Sequence, residues 1–79
     1  MTIVERLKLI LKAKGMKQRE LATAVDMKPS TLSKILTGRR TMNIYDFYIF
    51  SRTFGCSIED LCGMNPLLDE LLKKYGNEE

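Results

Sequence analysis

Apolar residues recur along the chain at intervals of three and four, in short bursts separated by Gly, Pro or polar clusters. That is the period of amphipathic helices, each with one inward stripe. Ile3, Leu7, Ile10 and Leu11 make the first stripe, while Glu5, Lys8 and Lys12 face water. Thr2 and Glu5 have capping-box spacing and Gly15 can close the turn, so a helix is expected over 2–14. Met16 is the apolar residue entering the next helix. Leu21, Ala24 and Val25 give that helix its inward face, and the small Ala22 lets another backbone come close. Asp26-Met27 then breaks the period, with Met27 as an apolar plug beneath a turn. Pro29 suits the first turn of a third helix, whose inward face is Leu32, Ile35 and Leu36 and whose end is Gly38.

The remaining bursts predict three more helices. Asn43 is a good cap for a helix over about 44–53, with Ile44, Phe47, Phe50, Ser51 and Phe54 at core positions and Gly55 after it. Tyr45, Tyr48 and Ile49 exceed what that core needs, which marks a covered or partner-facing patch. Ser57 caps a short fifth helix through Leu61, with Asp60 at its third position. Asn65-Pro66 starts a sixth. There Leu67, Leu68, Leu71, Leu72 and Tyr75 form a narrow apolar stripe, with Asp69, Glu70, Lys73 and Lys74 opposite. Gly76 ends it, and 77–79 should fray. The expected fold class is all-α: a compact five-helix domain over 1–62 and an additional amphipathic helix in 63–79.

Charge sharpens the picture at one place. Residues 12–40 carry eight cations and two anions, a local charge of +6, although the whole chain is only +3. The stretch after Cys62 is acidic by two charges. A basic centre with an acidic tail is an electrostatic footprint for nucleic acid. Within that centre the third helix turns Lys28, Ser30, Ser33, Lys34 and Thr37 outward. Short hydrogen-bonding groups and cations suit a polyanion with readable edges.

Composition narrows the alternatives. Seventy-nine residues make one domain. No apolar run approaches a membrane span, and Glu5 and Arg6 interrupt the start of the chain, so neither a membrane segment nor a signal peptide is expected. Cys56 and Cys62 read as reduced, buried thiols, which suits the cytoplasm. There is no histidine, no phosphate-cradling glycine loop and no metal-ligand constellation. No enzyme activity, cofactor, metal or small-molecule substrate is therefore expected.

Gln18, Leu21, Ala22, the turn at Asp26-Met27, Ser30-Thr31-Leu32-Ser33-Lys34-Ile35 and Gly38 resemble the helix-turn-helix of the lambda-repressor-like DNA-binding domains (Cro/repressor, Xre-type). Glu5-Arg6-Leu7, Lys14-Gly15-Met16, Asn43-Ile44, Phe47, Phe50, residues 54–58 and Leu61 extend the likeness to about residues 3–62. The chain departs from the family at Lys17 and Lys28, where a Ser or Thr commonly caps the two motif helices. Either a nearby group or water serves those N–H groups, or a DNA phosphate does.

The resemblance implies a sequence-specific, double-stranded DNA-binding transcriptional regulator, of the kind found as repressors in phages, mobile elements and restriction systems. Ser30, Ser33 and Lys34 would read base edges in the major groove, with Lys28, Thr37 and Gln18 at its margins. Lys17, Gln18, Arg39, Arg40 and Asn43 would hold phosphates. A homodimer on a palindromic operator is expected, built through Tyr45, Ile49, Leu67, Leu68, Leu71, Leu72 and Tyr75. The alternative at that surface is a last helix folded back on its own domain. The alternative function is an antitoxin or adaptor whose main partner is a protein docked on that helix.

Overall fold

Among the described residues six helices form in the predicted order: α1 (Ile3–Lys14), α2 (Gln18–Ala24), α3 (Pro29–Leu36), α4 (Ile44–Phe54), α5 (Ile58–Leu61) and α6 (Pro66–Asn77). The computed structural model describes residues 1–77, with side chains through Lys74. No helix among them is long and apolar enough to cross a membrane.

The predicted caps close the helices. Thr2 Oγ1 accepts the Glu5 N–H at 3.1 Å. Asn43 and Asp46 exchange bonds across the start of α4, at 2.8 and 3.1 Å. Ser57 and Asp60 do the same for α5. Asn65 accepts the Leu68 N–H, and its amide donates to the Asp60 carboxylate at 3.0 Å, which binds the turn between α5 and α6.

Leu7, Leu21, Leu32, Ile35, Phe50 and Leu61 are fully buried, one or two from each of α1 to α5. The Phe50 and Phe54 rings stack with centroids 6.1 Å apart. Ala22 is buried in α2, a helix that packs against α3. The turn between those helices places Asp26 in the left-handed region at φ +55°. Asp tolerates that conformation better than most side chains.

Several expectations change. Ile44 is 74% exposed rather than in the core. It opens α4, and helical side chains lean toward the N-terminus, so it points past the core. Ala24 is exposed because the buried stripe of α2 runs through Leu21, Ala22 and Val25, leaving Ala24 beyond its edge. Ile49 is half-buried against the chain's own core. Cys56 is half-buried and Cys62 exposed. Cys62 stands one residue, about 100° of turn, past the buried Leu61, which takes it off the inward side of α5. Burial nevertheless pushes the Cys56 thiol pKa up, which keeps it protonated. Gly76 lies within α6, not after it. Glu78 and Glu79, expected to fray, lie outside the described residues.

The largest change concerns α6. It folds back along α1. Leu72 is buried, Leu68 packs against the core, and Leu67 and Leu71 are left 72% and 56% exposed. Asp69 is not on the water side. Its carboxylate takes a bidentate pair of bonds from Arg6, Nε to Oδ1 at 2.8 Å and Nη2 to Oδ2 at 2.9 Å. Arg6 Nη1 donates to the Leu61 carbonyl at 2.8 Å, and the residue is only 4% exposed. Successive helical residues are turned by about 100°, so aiming Asp69 at α1 necessarily rolls the leucine stripe half out. Leu68 and Leu72 are thereby spent within the chain. The side chain of Tyr75, expected on the same strip, lies outside the described residues.

Candidate nucleic-acid interface

The outward face of α3 is built from its first residue. Pro29 at the first helical position needs no N–H partner, and Lys28 before it supplies no cap acceptor. The N–H groups of this first turn are therefore left to an outside acceptor, at the positive end of the helix. Lys28, Ser30, Lys34 and Thr37 are exposed and Ser33 is half-exposed, while Leu32, Ile35 and Leu36 are buried behind them. One face holds the domain together and the other offers hydroxyls and ammonium groups.

Thr37 is more occupied than its exposure suggests. Its hydroxyl donates to the Ser33 carbonyl at 2.8 Å, which leaves only acceptor capacity for a ligand. After α3 the chain turns sharply, with the Arg39 and Arg40 N–H groups both bonded to the Lys34 carbonyl, at 2.8 and 3.1 Å. Gly38 makes that turn at φ +77°. Both arginine side chains are exposed next to the face. Arg40 also stands 3.8 Å from the Asp46 carboxylate, an ion pair no sequence pattern announces.

At the start of α2, Lys17 supplies no acceptor either. Glu20 instead takes the Lys17 N–H at 2.9 Å. So a nearby group does serve this helix start, in part, and Lys17 and Gln18 keep exposed side chains. Asn43 is exposed but commits its oxygen to the Asp46 N–H, so its amide N–H₂ is what remains for a phosphate.

Two short helices meet at a tight turn, with the second carrying polar groups outward. The sequence model of the Helix-turn-helix family matches residues 7–61, which is α1 through α5. The chain belongs to the helix-turn-helix family of Cro/repressor type. That is a DNA-binding family of transcription regulators, and the matched span takes in each basic residue just described. α6 lies beyond the helix-turn-helix match. No curated protein and no solved structure matches the chain.

Proposed function

We propose that this protein is a sequence-specific regulator of transcription, a repressor of the phage, mobile-element or restriction-system type, acting in the cytoplasm on double-stranded DNA. The supporting observation is the outward face of α3. Lys28, Ser30 and Lys34 are exposed on it and Ser33 half-exposed, and we read these as the side chains offered to the major groove. Lys34 would bond guanine O6 and N7, and the serines would adapt to either partner. Lys17, Gln18, Arg39, Arg40 and Asn43 would set the register on phosphates. Gln18 and Thr37 would touch the groove margin.

One such helix reads only a few base pairs, so we read the active form as a homodimer on a palindromic operator. Of the residues expected at that interface, Tyr45, Leu67 and Leu71 stay exposed and are available to a second copy. The same exposed pair on α6 favours a second reading, an antitoxin or adaptor with a protein docked there. Co-purification of an unrelated chain that is lost on Leu67→Glu, Leu71→Glu would support it.

The deciding experiment is selection from a random duplex library at physiological salt. The expected result is an enriched palindrome with half-sites about 10 base pairs apart, centre to centre. A library that returns unenriched would overturn the regulator reading.

A further inference from the structure

Behind the reading helix lies an open cleft of about 280 Å³, between the start of α1, the loop after α3, and α4. Ile3, Val4, Met42 and Phe47 line it, and all four stay half-exposed. The core thus leaves apolar surface in a concave place here, and no described side chain fills it. Two polar residues, Arg40 and Thr41, share the lining. The Arg40 side chain is 40% exposed. Among the described residues its charged contact is Asp46 at 3.8 Å, too long for a hydrogen bond. Asp46 meanwhile accepts the Asn43 N–H, and Arg39 adds a second positive charge next in the chain. An apolar wall beside under-used guanidinium donors is complementary to one chemistry, an apolar body carrying an anionic head.

We infer that this cleft binds a small monocarboxylate with a compact apolar body, its carboxylate on Arg40 and its body against Val4, Met42 and Phe47. The volume lies just below the roughly 300–1,000 Å³ of drug-sized ligands, so the ligand is a small acid and not a long chain. The site also touches the proposed function. Arg40 is one of the residues assigned to phosphate, so acid and DNA compete for it; this part rests on the regulator reading.

Phenylpropionate is a suitable probe, with phenylpropanol and phenylpropylamine as controls for the head group. Titration of the isotope-labelled full chain without DNA should move the amide signals of Val4, Arg40, Met42 and Phe47. The alcohol should bind about tenfold more weakly, and the amine more weakly still. Arg40→Gln should lose about tenfold for the acid and nothing for the alcohol. Val4→Phe, which fills the cleft from a half-exposed helical position, should abolish binding. If that variant unfolds, Arg40→Gln still decides. No shifts at millimolar acid, equal binding of acid and alcohol, or an unaffected Arg40→Gln variant would overturn the site. Because these titrations contain no DNA, their failure is separate from failure of the duplex selection. On a selected duplex, saturating acid should raise the Kd for DNA, and an unchanged Kd would overturn the competition.

Discussion

A guanidinium inside a small helical domain is costly unless its donors are taken. Arg6 meets that condition with both Asp69 oxygens and the Leu61 carbonyl. Gly63 makes room for it. A Cβ there would run into the guanidinium, and φ is +83°. Asp69→Ala should therefore destabilise by about 3 kcal/mol, the low end for a broken buried pair, because Asp69 keeps some contact with water. Pairing with Arg6 holds the Asp69 carboxyl below its usual range. A carboxylate lowered on folding adds stability above its unfolded pKa, about 3.9, and that stability is lost as pH falls through the folded value. Asp60 is lowered as well, by the Asn65 amide and then the Ser57 N–H. Urea midpoints followed from pH 7 to pH 2 should drop below about pH 4, and drop less in Asp69→Asn. An Asp69→Asn variant with the wild-type acid limb would show that Asp69 does not carry it.

At the scale of elements, α3 serves two masters with its two faces. Leu32, Ile35 and Leu36 hold it in the core, so its outward residues can change without loss of fold. Lys34→Ala should cost about 1–3 kcal/mol on the preferred duplex and relax preference at one base position. Arg39→Ala should weaken all duplexes alike and flatten the salt slope by about one unit. Binding isotherms on a preferred and a scrambled duplex at several salt concentrations separate the two effects. Thermal midpoints should stay within a few degrees, since both side chains are exposed. If Arg39→Ala altered base preference instead, its assignment to phosphate would be wrong.

The molecule as a whole measures 30 × 26 × 22 Å. One DNA turn, about 34 Å, is the spacing that the α3 helices of two copies would have to match in the proposed dimer. Fold-back of α6 and self-association are compatible, because Leu68 and Leu72 serve the first while Leu67 and Leu71 remain outside. Sedimentation at micromolar concentration should give a dimer for the intact chain and a monomer for Leu67→Glu, Leu71→Glu, with the urea midpoint retained. Leu68→Glu, Leu72→Glu should instead lower the midpoint, because those residues pack within the chain. A monomeric intact chain would end the dimer proposal.

What the sequence determined by itself is local or periodic. Thr2, Asn43 and Ser57 announce helix starts because a cap bonds within three residues. Leu7, Phe50 and Leu61 announce the core because a stripe of period 3.6 has one inward side. The ordered residues from Leu7 to Leu61 carried the family. Tertiary structure decided what depends on distant partners. Arg6 does fall in the inward stripe, between Ile3 and Ile10, but only Asp69, 63 residues away, makes burying it tolerable. That same bond set the roll of α6, and so which leucines are core and which are surface. The cleft beside Arg40 likewise exists only where three segments come together, and no periodicity along one of them could have foretold it.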